Sequence, residues 1–410
     1  MKTPEFIDRV RRRVKVEAAH RANDRRFVAL SSQVAANSPE RSAAPVIFFD
    51  ASTRLTGTSL NAAFAALSAW SLELKGVRVI HFVCQQGLAP CVFGTKRNSM
   101  HQNPPCKGCI RQSEALFGQS EKTYFGFDAE AMPEGLLEPL GLDQLSRFTY
   151  ADLPLGELAL PSMRWILRRH HLNDDELTRS LFKQYIRSAY SLALQFEALV
   201  IETQPQTVVV FNGMQYPEAT ARWVARKHGI RVISHEVGLR PFSAYFTEGD
   251  ATAYDLDIPA DFQLNDAQNQ RLDDYLSKRF KGDFHMAGVK FWPEMSELSP
   301  EFLQKAAGFK QIVPVFTNVI FDTSQPHANV LFEDMFTWLD SLLNTVIAHP
   351  DTLFVIRAHP DEARIGKASE ESVAEWAEAR GVSNIPNLHF IPPQEYVNSY
   401  DLIRMAKFVL

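Results

Sequence analysis

Short apolar runs rich in β-branched and aromatic residues alternate with segments of helical periodicity, and this alternation constrains the fold more than any other feature. The first run, "VIFFD" at 46–50, has no polar residue until its end, as expected of a parallel strand covered on both faces. From Thr58 to Lys75, Leu60, Phe64, Leu67 and Leu74 share a helical face, and Gly76 closes the segment. "VRVIHFVC" at 77–84 is the next strand, so a βαβ unit fits within about forty residues. The stretch 110–160 is less regular. A long helix is then expected from Asn173, capped with Glu176, followed by "TVVVF" (207–211), a helix from Pro217 to Lys227 and "IRVIS" (230–234).

After a polar segment at 250–308, a second series follows. It runs "QIVPVFT" (311–317), a helix over 330–348, "TLFVI" (352–356), a helix over 369–380 and "LHFI" (388–391). A helix over 395–406 and "FVL" (408–410), read as the opening of a strand, end it. The expected fold is α/β, with two Rossmann-like doubly wound parallel-sheet domains. The expected division is a basic helical extension and linker at 1–44, a first sheet domain at 45–300 and a second at 301–410. A closing strand without its covering helix leaves an apolar face open, so the second domain is expected to be truncated.

Lys and Arg total 43 against 48 Asp and Glu, a net charge of −5, which argues against nucleic acid as the main partner. The chain has neither a bilayer-spanning apolar run nor a signal-peptide core, so a cytoplasmic setting is expected. Arg11, Arg12, Arg13, Lys15, Arg21, Arg25 and Arg26 make the N-terminus basic, with Phe6, Ile7, Val10 and Val14 at helical spacing. The small apolar face favours a helix docked on the domain over an anchor at the inner membrane face, which stays as an alternative.

All four cysteines lie in "CQQGLAPCVFGTKRNSMHQNPPCKGC" (84–109). Cys106-x2-Cys109 forms a knuckle, and Cys84 and Cys91 can complete a closed structural zinc tetrahedron, with His101 able to replace one thiol. An iron–sulfur cluster takes the same four thiolates, and four reduced thiols remain the plain alternative. Disulfides do not suit a cytoplasmic chain.

Candidate ligand-binding residues gather where strands end. "VIRAHPDE" (355–362) places Arg357, His359, Pro360 and Glu362 after a strand, where Arg and His can face a phosphate. The plain alternative is a turn with Arg357 paired to Asp361 or Glu362. "ISHEVGLRP" (233–241) places His235 and Glu236 similarly, with Gly238 allowing close approach, and Glu236 could act as a general base. Pairing of Glu236 with Arg240 is the alternative. Asn212 and Gly213 form a sugar-binding loop or a tight turn, while Thr53 and Arg54 precede a helix N-terminus. Neither a P-loop nor G-x-G-x-x-G is present. "RRHH" (168–171) reads as a solvated helix end.

The succession "VFTNVIFDTS", "FVIRAHPDE" and "IPPQEYVNSYDLIRMAKFVL" resembles the C-terminal half of bacterial capsule-polysaccharide biosynthesis glycosyltransferases, the group containing Kdo and polysialic acid transferases. The resemblance is clearest over 310–410 and looser over the first half and the cysteine loop. It implies the two-domain GT-B fold, a nucleotide-sugar donor with CMP-linked sugars among the candidates, and a polysaccharide or glycolipid acceptor. It also implies that Arg357, His359 and Pro360, with Glu362 following, meet the donor's phosphate; Thr53, Arg54, Asn212, Gly213 and Gly238, from the first-half loops, are the candidates for the acceptor side. The family's Ser/Thr motif would fall beyond Leu410, so part of the donor site is expected to be missing. A sugar-nucleotide epimerase and a non-catalytic, zinc-stabilised carbohydrate-binding protein are the two alternatives.

Overall fold

The computed structural model describes residues 3–51, 57–95, 97, 104–254, 256–281, 295–364, 366 and 368–410. The chain forms two compact units. Unit 1 comprises Met1–Ile166, Asn173–Gly238 and Phe242–Tyr254; unit 2 comprises Leu167–Leu172, Leu239–Pro241 and Asp255–Leu410.

Unit 1 runs α1 (Thr3–Asn37), β1 (Val46–Asp50), α2 (Leu60–Glu73), β2 (Val79–Cys84), α3 (Cys106–Phe117), β3 (Glu121–Phe125) and α4 (Leu142–Ser146). It continues with α5 (Leu155–Leu167), α6 (Glu176–Thr203), β4 (Thr207–Phe211), α7 (Tyr216–Lys227), β5 (Arg231–Val237) and β6 (Ala244–Thr247). The strands order as β3-β2-β1-β4-β5-β6, parallel except for the β5–β6 pair. All five β1 residues are buried, which explains its unbroken apolar run. The chain winds outward from β1 to β3 and then returns to β4, so the winding reverses between β1 and β4. In open parallel sheets, ligands bind at the strand C-termini beside such a reversal.

The segment read as irregular contains α3, β3 and α5. β3, "EKTYF", has only its last residue buried, so its sequence lacks the strand signature. α6 is capped by Asp175, not Asn173: its side chain accepts from the Thr178 N–H at 2.8 Å. α1 does dock on its domain, but through Phe27 and Val34 packed near Trp70 and Phe117. Val10 and Val14, the expected apolar face, are exposed. Arg111 of α3 pairs with Glu17 and Asp24 of α1.

Unit 2 runs α8 (Asp266–Phe280), α9 (Pro300–Ala307), β7 (Gln311–Phe316), α10 (Gln325–Ala328), α11 (Met335–Ala348), β8 (Thr352–Arg357), α12 (Val373–Ala379), β9 (Leu388–Ile391) and α13 (Ser399–Met405). Its three strands are parallel in the order β7-β8-β9. Phe302, Ile312, Leu353, Val355, Ile391 and Leu402 form a core cluster against one face. Three helices start later than periodicity predicts because capping side chains set the first turn. Asp334 caps α11, Ser372 with Glu375 caps α12, and Asn398 caps α13. "FVL" is not a regular strand, although Leu410 donates to the Pro314 carbonyl and accepts from the Phe316 N–H, each at 2.9 Å.

Candidate functional site

In unit 1, three side chains meet at the C-terminal ends of β4 and β5 and the start of α2. Glu236 Oε1 accepts from Asn61 Nδ2 at 3.1 Å and from the Val237 N–H at 2.9 Å, while Oε2 accepts from Asn212 Nδ2 at 3.0 Å. The carboxylate is therefore a fixed acceptor, held by two amides in place of the alternative pairing with Arg240. Asn212 and Gly213 adopt left-handed conformations, with φ of 56° and 84°. Asn212 Oδ1 accepts from the Met214 N–H at 3.1 Å, a turn that aims its amide at Glu236.

Two expectations change here. His235 does not face a ligand site, because successive strand residues point to opposite faces. It is 1% exposed and packs between Phe246, at 5.1 Å between ring centroids, and Phe211, at 5.8 Å. Burial lowers its pKa to about 4. Gly238 does allow a close approach, but to its own hairpin: a Cβ there would lie 2.3 Å from Ser243 Oγ and 3.1 Å from Ser243 Cβ. Thr53 and Arg54 lie outside the described residues, as does His101.

In unit 2, His359 follows β8, the central strand, and caps a short 3-10 turn, Pro360–Ala363. Its Nδ1 accepts from the Asp361 N–H at 3.1 Å, so a neutral ring carries its proton on Nε2. Burial lowers its pKa against the opposing pull of Asp361 and Asp322, which keeps the ring neutral at physiological pH. Arg357 is 3% exposed and donates from Nη1 to the Pro392 carbonyl at 2.8 Å, bracing the loop after β9 rather than pairing with Asp361 or Glu362. Glu362 is 4% exposed and accepts from the Val373 N–H at the start of α12. Burial raises its pKa to about 8. Of the four residues expected to bind phosphate, His359 is the one whose ring the turn fixes, with Nδ1 accepting and the proton on Nε2.

The four cysteines border one pocket, together with Phe93 and Pro104. Cys84 ends β2, and Cys106 and Cys109 lie on the first turn of α3, so the knuckle is helical. Burial pushes the Cys84 thiol up to about 11 and also raises Cys91 and Cys106. The four free thiols are not a group with three donor atoms within 4.8 Å of one another.

Sequence reasoning missed Asn61 and a buried Asp50–His81 pair. His81 Nδ1 lies 2.6 Å from Asp50 Oδ2, and its ring stacks on Phe117 at 3.9 Å. Polar residues within otherwise apolar runs on paired strands were the available signal.

No family model matches the chain, and no curated protein matches it. Among solved structures, a UDP-GlcNAc 2-epimerase from Neisseria meningitidis bound to UDP-GlcNAc is similar at 12% identity, over 89% of this chain and 76% of that one, with a TM-score of 0.25. An α,α-trehalose 6-phosphate synthase from Burkholderia multivorans is similar at 12% identity, over 90% and 77%, with a TM-score of 0.27. The calicheamicin glycosyltransferase CalG4 is similar at 12% identity, over 89% and 91%, with a TM-score of 0.24. At these scores the likenesses carry no argument, and the fold description rests on strand order and direction. Among the described residues, no helix is long and apolar enough to cross a membrane.

Proposed function

We propose that this protein is a sugar-nucleotide enzyme that transfers a glycosyl group to a polysaccharide or glycolipid acceptor, in the cytoplasm or at the inner membrane face. The observation that carries this reading is His359: a half-buried, neutral imidazole after a central parallel strand, whose Nδ1 accepts from the Asp361 N–H so that its proton sits on Nε2. On this reading, Nε2–H stabilises charge on the departing phosphate. Glu236, held by Asn61 and Asn212, takes the proton of the acceptor hydroxyl. Pro360 fixes the turn, while Arg357 and Glu362 hold the surrounding loops.

Titration with CMP, UDP and GDP tests the binding step. His359→Asn, which keeps a capping side chain, should weaken binding of the preferred nucleotide roughly ten- to hundredfold, the worth of about 1.5–3 kcal/mol for a hydrogen bond to a charged group. Unchanged affinity would refute the assignment. Incubation with the cognate donor distinguishes the reactions: turnover that requires an acceptor supports transfer, whereas isomerisation of the donor alone identifies an epimerase.

We further propose that Cys84, Cys91, Cys106 and Cys109 hold a structural zinc ion. Support comes from the donor set, since all four thiols border one pocket. Burial disfavours the thiolates of Cys84, Cys91 and Cys106 without a cation, so zinc binding should release protons. Elemental analysis of the purified chain tests this: zinc near one per chain is expected, iron with sulfide would indicate a cluster, and no metal would leave four reduced thiols.

A further inference from the structure

The sequence "RRHH" is not a solvated helix end. α5 stops at Leu167, and Arg168 turns with φ of 60°. The Arg168 carbonyl accepts from the Glu370 N–H at 2.8 Å, and its guanidinium lies 5.0 Å from the centre of the Phe321 ring. Glu371 then grips His170 and His171. Its Oε2 accepts from the His170 and His171 N–H groups at 2.7 and 3.1 Å, and its Oε1 lies 2.9 Å from His171 Nδ1.

A neutral ring has one proton to share between two carboxylates, and Glu371 is the nearer. With Nδ1–H donating to Glu371, neutral His171 has its lone pair on Nε2, and Nε2 lies 3.3 Å from Asp334 Oδ2. Two acceptors then face each other, so either a second proton or a cation must lie between them. A ring nitrogen of His170 completes the group: the donor atoms of His170, His171 and Asp334 all lie within 4.8 Å of one another. Among the described residues, this is the group that gathers three metal-ligating atoms so closely.

We propose that His170, His171 and Asp334 form a divalent transition-metal site of the zinc class in unit 2. Two imidazoles and one carboxylate suit borderline ions and leave coordination positions for water or a ligand oxygen. Glu371 acts as the outer carboxylate that fixes the ring orientation and basicity of His171. The His171 side chain is 56% exposed, giving an ion a route in, while that of Asp334 is 7% exposed. Asp334 Oδ1 is occupied by the Phe336 and Thr337 N–H groups at 2.7 and 3.0 Å, and Oδ2 is the oxygen that faces His171. The N-terminal end of α11 disfavours a cation, an effect that the carboxylates of Asp334 and Glu371 offset.

Chelator-competition titration of the untagged chain with Zn²⁺ tests the proposal. Asp334→Asn keeps the helix cap but removes the charged ligand. It should lose one zinc equivalent, or bind it more than about tenfold more weakly, with its melting temperature in EDTA unchanged. Glu371→Gln should weaken the same equivalent by about 10–100-fold. Zinc held by the four cysteines should be unaffected in both variants. Equal zinc stoichiometry and affinity in the parent and both variants would overturn the site.

Discussion

Glu362→Gln should reverse sign with pH. Glu362 keeps its proton in the fold because burial raises its pKa from the ordinary 4.5 to about 8, against the pull of the Val373 N–H. Between those two values the unfolded chain loses the proton while the folded chain retains it. Stability therefore falls as pH rises from about 4.5 and reaches its floor above about 8. At about 1.36 kcal/mol per pH unit, the cost is roughly 3 kcal/mol at pH 7 and roughly 5 kcal/mol above pH 8. Glutamine retains a carbonyl oxygen for Val373 and carries no charge, but brings amide donors that cost about 1 kcal/mol where water once served them. Urea unfolding of both proteins at pH 4.5, 7 and 8.5 measures the difference directly, since every other titrating group cancels. The variant should be equal or slightly weaker at pH 4.5, and more stable by roughly 4 kcal/mol at pH 8.5. A difference that stays constant across the three pH values would refute the reasoning, because it would mean that Glu362 is already ionised in the fold.

His235→Phe fills the same slot between Phe211 and Phe246 without a titrating group. His235 titrates near 4 when folded and 6.5 when unfolded, so the parent should lose about 3 kcal/mol as pH falls through that window and the variant should not. Parallel acid denaturation curves would contradict this. Gly238→Ala should destabilise the chain by about 1–3 kcal/mol through its clash with Ser243, read as a lowered urea midpoint, and an unchanged midpoint would show that the hairpin yields.

The buried parallel strands were legible because both their faces are covered: "VIFFD", "TVVVF" and "TLFVI" each became a strand near its expected limits. β3 and β6 were not, since edge strands need few apolar residues. Helix starts were misjudged where a capping Asp, Ser or Asn outweighed periodicity. At the site, strand ends pointed to Glu236 and His359, but the amides around Glu236 depend on tertiary pairing. Asn61 lies 175 positions away along the chain. His235 was misplaced for a simpler reason, the alternation of side chains along β5. The histidine pair at 170–171 looked ordinary because Glu371 and Asp334, which give it meaning, are distant in sequence.

The bond from the Asp361 amide to His359 has a consequence for selectivity. On the proposed reading, a ring pinned in that way meets its ligand with an N–H and no outward lone pair, so it would discriminate against ligands that come only as donors and favour oxygens whatever their formal charge. Salt erodes attraction between exposed charges but has little purchase on a half-buried neutral dipole. Binding through this ring should therefore persist at ionic strengths that would strip a ligand from an exposed lysine.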